Sequence, residues 1–447
     1  MLSMELQEMK QRCLRIIDEN REEIIRLGKE IYQTPELGFK EFQTQKRVAD
    51  AFQKAGFSVE SGIAYTGCKA VGEKKEGPSV AVTGELDCVV CAEHPDSTKE
   101  GNVHACGHNI QLANVYGCAL GLSRSGALKE LAGTVEFLAV PAEEGVDYDY
   151  RNQLIKDGHI AYFGGKQEYI KRGGLDNTDI LLQCHMMEMP AGKRCTVDTD
   201  CNGFITKTVR FIGEAAHAGF EPHKGINALN MAELALNNIH AVRETFQEKD
   251  KVRVSAVITE GGGLVNVVPA SVSMQIMVRA FTVEAILDAS HKVDRALKAG
   301  ALAVGGKVEI QNRMGYLPMR TDRKLSRLYR SNMIEYAGAD EDSFVEVYET
   351  AGSTDLGDVS QLKPCMHIWT EGVRGGLHSR DYRVDDEEKA YIQPAKMMAL
   401  TVIDLLYGNA EQAEKIIREF QPKFTKENYL KLLQDNSKVE IFDGRSV

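Results

Sequence analysis

Apolar and polar positions along this chain follow more than one period, and each change of period marks a change in the predicted architecture. From residue 5 to about residue 55, apolar residues recur at three- and four-residue spacing, a helical pattern broken at Thr34-Pro35-Glu36-Leu37-Gly38. Short, nearly continuous apolar runs follow: Ser79-Val80-Ala81-Val82-Thr83-Gly84, Gly133-Thr134-Val135-Glu136-Phe137-Leu138-Ala139-Val140, and Asp179-Ile180-Leu181-Leu182-Gln183-Cys184. Such runs read as buried strands. Helical pattern lies between them, for instance over residues 109–123, and this alternation predicts an α/β sheet with parallel character.

From about residue 202 the order changes. A strand (204–213) precedes a helix (226–246), then two strands (251–260 and 271–282), a helix (283–304) and a last strand (307–313). That βαββαβ order is the ferredoxin-like split arrangement, which closes on itself and therefore reads as an inserted α+β domain. The α/β layer resumes at 325–337 and 390–406, and residues 409–433 read as a polar helical tail. The expected partition is a catalytic domain in two parts, 1–201 and 314–447, interrupted by an inserted domain at 202–313. A length of 447 residues also calls for more than one core.

The residues that end the three apolar runs carry the chemistry. The first run ends in Glu85-Leu86-Asp87, the second in Pro141-Ala142-Glu143-Glu144, and the third in His185. Open α/β sheets bind ligands just beyond the carboxyl ends of their strands, so these groups are expected to share one crevice. Immediately before a helical stretch comes His104-Ala105-Cys106-Gly107-His108-Asn109. Cys and His two residues apart can bite one cation if the glycine between them lets the backbone turn sharply. Taken alone, the segment also reads as a helix cap holding a buried thiol. Late in the chain, Gly375-Gly376-Leu377-His378-Ser379 places another histidine in a glycine-rich loop. The candidate ligand set is Cys106, His108, Glu144, His185 and His378, enough for two divalent ions sharing a water. Thiolate and imidazole point to zinc, with manganese as the alternative. Of the two adjacent glutamates one can bind metal while the other moves protons, so Glu143 is assigned as general base and Glu144 as ligand. Asp87 is expected to hydrogen-bond a metal-bound histidine and fix its tautomer.

Charge and cysteine usage narrow the class further. A net charge of -11 without a basic face argues against a nucleic-acid partner. No basic-then-apolar leader is visible in Met1-Leu2-Ser3-Met4-Glu5-Leu6-Gln7, and no apolar run approaches the roughly 18 residues of a membrane span. A cytoplasmic protein with no membrane partner is expected. Most of the 10 cysteines then read as reduced core residues, including the C-x-x-C pair Cys88 and Cys91, which has neither a thioredoxin-like context nor a second such pair.

Taken together, these motifs resemble the aminoacylase and carboxypeptidase-G-like metallopeptidase family, in particular its amidohydrolase branch. Thr34-Pro35-Glu36-Leu37-Gly38 resembles the family's opening helix break, His104-Ala105-Cys106-Gly107-His108 its cysteine-containing metal motif, and Pro141-Ala142-Glu143-Glu144 its base-and-ligand pair. His185 and His378 correspond to two further metal histidines. Gly352-Ser353-Thr354-Asp355-Leu356-Gly357-Asp358-Val359-Ser360 resembles the p-aminobenzoyl-glutamate hydrolase and β-alanyl-lysine dipeptidase subgroup. The likeness implies a mixed-sheet, di-metal exopeptidase-like catalytic domain whose inserted domain serves as lid and homodimer interface. It also implies that His217 reaches a neighbouring subunit's site to steady the oxyanion, and that Asn266 and Arg279 hold the substrate carboxylate or carbonyl. The implied reaction is metal-dependent hydrolysis of an N-acyl or N-aroyl amino acid, such as a p-aminobenzoyl-glutamate-like amide. A dipeptidase is the near alternative, and a non-catalytic metal-binding partner subunit the distant one. Three departures lie near the expected pocket. Asn109 stands where many members carry aspartate, the stretch Cys88-Val89-Val90-Cys91 lacks a leucine-proline continuation, and Ser379 is followed by Arg380-Asp381.

Overall fold

The computed structural model describes residues 4–446; Met1, Leu2 and Ser3 of the amino-terminal reading lie outside the described residues. The chain divides into two compact units.

The first unit comprises residues 1–200, 320–349 and 358–423 and is built on a mixed sheet. Its central strands run in the order Gly67–Val71, Thr134–Val140, Ser79–Glu85, Ile180–Met186 and Cys365–Thr370. The last four are mutually parallel, and Gly67–Val71 joins antiparallel to Thr134–Val140. Glu85 is in register with Val140, so these carboxyl ends lie side by side. The third run continues one residue beyond His185, to Met186, because the parallel pairing with Cys365–Thr370 extends that far. His185 is therefore a strand residue, not a loop residue after a strand. The helix His108–Arg124 is buried along nearly its whole length and packs on strand Ser79–Glu85. Gly84 permits this close approach: a Cβ there would lie 3.2 Å from the helix backbone at Gln111. Helices Met4–Glu19, Arg21–Tyr32 and Gln393–Leu406 complete the layer over this helix.

The second unit holds the expected βαββαβ order. Strands Gly203–Ile212, Arg253–Glu260, Ser271–Ala280 and Lys307–Met314 pair antiparallel, with helices Ala228–Val242 and Val283–Val304 packed on them. It reaches beyond the inserted segment, however, taking in residues 201–319, 350–357 and 424–447. The tail joins it because Val439–Asp443 adds a fifth strand, antiparallel to Lys307–Gln311, on the edge next to Lys307–Met314. The segment 350–357 belongs here because Arg279 Nη1 donates to the Ala351 carbonyl and the Ser353 hydroxyl, both at 3.1 Å. Among the described residues no helix is long and apolar enough to cross a membrane.

Candidate metal centre

Cys106 and His108 flank Gly107, which sits at φ 85°, in the left-handed region where a side chain would be strained. The turn carries the Cys106 thiol into the crevice and makes His108 the first residue of its helix. His108 Nδ1 lies 2.9 Å from the Asp87 carbonyl and 3.2 Å from Asp87 Oδ1, contacts in which it donates, so Nε2 is left facing the crevice. Buried Nε2 makes no well-directed hydrogen bond and stands 3.1 Å from Glu85 Oε2. Asp87 also accepts from the Glu144 amide at 2.8 Å, so one carboxylate ties two donor-bearing segments together.

His185 brings Nε2 to 3.5 Å from Cys106 Sγ, and its ring lies against Trp369 with centroids 4.2 Å apart. His378, at φ 59°, is held by its amide on the Ala105 carbonyl (2.8 Å) and places Nε2 2.9 Å from Glu144 Oε1. Ala142, just before the glutamate pair, is also left-handed at φ 53°. Strained backbone at these points aims the side chains that follow.

The five expected donors converge. Ligand atoms of Cys106, His108 and His185 lie within 4.8 Å of one another, and so do those of Cys106, Glu144 and His378. The Cys106 sulfur belongs to both triads. A third group, Glu85, His108 and Glu143, adjoins them. One thiol, three imidazoles and buried carboxylates form a donor set suited to zinc-type divalent ions, and the undirected Nε2 of His108 fits that use.

Electrostatics follow from this crowding. Burial, and then Glu144, push the Cys106 thiol well above its ordinary value. Burial disfavours a charged His108, but Cys106 and Glu85 outweigh it and raise that imidazole. Burial and the neighbouring His108 hold His185 far below the usual range, as a neutral ring. The hydrogen bond to Glu144 raises His378, which is the one exposed donor.

Several buried polar groups support the centre although no spacing or motif in the chain marks them. Arg151, fully buried, donates to the Glu144 carbonyl, and Glu41 accepts the Ala142 amide at 2.8 Å. Gly38 of the Thr34–Gly38 break packs on the same loop, where a Cβ would lie 2.9 Å from Ala142 Cα. Buried charge within helical or loop segments was the missing signal, and it is read from burial, not from spacing.

His217, Asn266 and Arg279 belong to the second unit. His217 is exposed, and its Nδ1 accepts from the amides of Gly219 (3.2 Å) and Phe220 (3.1 Å). The Asn266 carbonyl accepts from the Ala218 amide at 3.0 Å, so the two segments run side by side. The Arg279 guanidinium lies over the Phe204 ring.

The sequence profile of peptidase family M20/M25/M40 matches residues 81–404, and the chain belongs to that family. It is a metal-dependent hydrolase. It is similar to the Xaa-Arg dipeptidase of Homo sapiens, 28% identical over 451 residues that cover 96% of each chain. It is likewise 28% identical over 320 residues to one of the subunits of p-aminobenzoyl-glutamate hydrolase from Escherichia coli (strain K12), covering 68% of this chain and 61% of that one. Its fold matches a dinuclear metal-binding peptidase of Bacillus subtilis with a TM-score of 0.66 and 20% identity, over 87% of this chain and 99% of the other.

Proposed function

We propose that this hydrolase cleaves the amide bond of an N-acyl or N-aroyl amino acid, using two divalent ions held by Cys106, His108, Glu144, His185 and His378. The observation that carries the reading is the Cys106 sulfur shared by two triads of ligand atoms, each within 4.8 Å. Cys106, His108 and His185 would hold one ion, and Cys106, Glu144 and His378 the other. Zinc suits the thiolate and imidazoles, with manganese as the alternative. When bound, such ions polarise a carbonyl and lower the pKa of a shared water.

The residues of the chain then divide the work. Asp87 holds His108 in the tautomer that presents Nε2. Glu143 takes a proton from the attacking water as its oxygen bonds to the carbonyl carbon, then gives it to the nitrogen as the C–N bond breaks. His217 accepts at Nδ1, which places its proton on Nε2, the form that donates to an oxyanion, here in the site of a second copy of the chain. Arg279 and Asn266 take the substrate carboxylate or carbonyl, and for a carboxylate a guanidinium fork is suited.

A dipeptide is itself an N-acyl amino acid, and similarity across 96% of the Xaa-Arg dipeptidase favours that second reading. Metal analysis and a substrate panel test the proposal together. The protein should hold two ions, His378→Ala one, and Cys106→Ala none. A metal-replete screen of N-acyl amino acids, N-aroyl amino acids and dipeptides, read by amino-acid release, then identifies the acyl class. Wild-type metal content in Cys106→Ala would remove the basis of the reading.

A further inference from the structure

Beside the crevice-facing nitrogen of His108 lies a buried ion pair that the reaction scheme does not use. Lys166 and Glu85 are each 1% exposed. Lys166 Nζ meets Glu85 Oε1 at 2.6 Å, and the Gln183 side-chain amide donates to the same oxygen at 2.9 Å. The other oxygen, Oε2, accepts from the Gln111 side-chain amide at 2.9 Å, while Gln111 Oε1 accepts the Glu85 backbone amide at 3.2 Å. Three side chains from separate parts of the chain thus fix one carboxylate, and the oxygen they leave partly open points at His108 Nε2 from 3.1 Å. A carboxylate that only closed a salt bridge would have no need to face the ring nitrogen that His108 turns toward the crevice.

Building on the proposed metal centre, we propose that Glu85, clamped by Lys166, is a positioning and charge-balancing residue for the divalent ion on His108. Its negative charge faces the cation, and the lysine behind it fixes the carboxylate's orientation and limits the excess negative charge of the buried site. The pair acts through His108 and the ion and does not touch the substrate.

The chain's single tryptophan supplies a readout independent of turnover. Trp369 lies against His185, so its fluorescence should respond when zinc is added to metal-stripped protein. Lys166→Met alone strands a buried carboxylate and is expected to lower the melting temperature sharply. The decisive variant removes both charges, Glu85→Gln with Lys166→Met. It should melt near the wild type yet bind zinc about 10- to 100-fold more weakly, the range found when groups that orient metal ligands are lost. Gln111→Met, which frees Oε2 and keeps the pair, should weaken zinc binding to a smaller extent, and it carries the test if the double variant does not fold. Wild-type zinc affinity in the variants that fold would make the pair a purely structural salt bridge and overturn the inference. Wild-type protein that binds no zinc would instead overturn the metal centre itself.

Discussion

The two faces of the central sheet in the first unit obey opposite chemistry although they are made from the same strands. On one face stand Val80 and Val82, Leu182 and Cys184, Met366 and Ile368, all within the main apolar core. On the other, by the alternation along each strand, stand Thr83 and Glu85, Gln183 and His185, His367 and Trp369, with Thr83, Gln183 and His367 in cross-strand register, as are His185 and Trp369. That face is buried too, yet it holds an ion pair with Lys166 and several polar atoms without hydrogen-bond partners among the described residues: Thr83 Oγ1, Gln183 Oε1, both ring nitrogens of His367 and Trp369 Nε1. Burying polar groups costs free energy, so a sheet built only for stability would make both faces alike. The apolar face holds the strands together. The polar face, which leads into the candidate metal donors, uses that rigidity to fix the orientation of charged groups.

The sharpest way to break this contrast is to remove function without touching stability. Glu143, whose carboxylate groups with Glu85 and His108, is the proposed proton carrier. Glu143→Gln should lower kcat by about 10²- to 10⁴-fold, the usual contribution of a general base, with metal content and melting temperature unchanged. Full activity with metals bound would show that another group moves the proton.

The reverse experiment belongs to the opposite face. Leu182 is completely buried in the apolar core. Leu182→Ala should cost about 2–5 kcal/mol of stability by deleting apolar contacts and leaving a cavity, measured by denaturant unfolding. The folded fraction should keep wild-type kcat. A fall in kcat comparable to that of Glu143→Gln would mean that the two faces are not separable.

How much of this was legible beforehand follows the same division. The parallel strands and the βαββαβ order came from apolar runs, and the five candidate donors from strand ends, from His104-Ala105-Cys106-Gly107-His108 and from the glycine-rich loop that holds His378. The polar face was not legible, because Thr83 and Gln183 sit inside runs whose neighbours are apolar, which read as buried without saying against what. Lys166 lies in Gly165–Arg172, a short, strongly polar helix that reads as solvated; only the fold brings it to Glu85, 81 positions earlier. The tail strand Val439–Asp443 carries no buried apolar run, because Val439 and Ile441 stay exposed at a sheet edge, where pairing, not burial, holds the backbone.

A smaller, pH-dependent contrast concerns Glu41, a buried carboxyl group on the loop that supports the glutamate pair. It accepts from the Thr66 hydroxyl at 2.6 Å and the Ala142 amide at 2.8 Å, with no exposure to solvent. Burial, and then the charge of Asp87, push it up to about 8. In the unfolded chain a glutamate ionises near 4.3. Between those values the folded protein binds the proton that the unfolded chain has lost, so stability must fall as pH rises. Between pH 6 and 7 the loss from this one group should be about 1.4 kcal/mol. In Glu41→Gln the amide oxygen can still accept from Ala142 and its nitrogen can donate to Thr66, but nothing ionises. Denaturant midpoints of this variant should therefore lose that part of the pH slope, while Leu182→Ala, altered on the apolar face, should keep the wild-type slope at lower stability. Equal slopes in wild type and Glu41→Gln would show that Glu41 is already ionised in the folded protein.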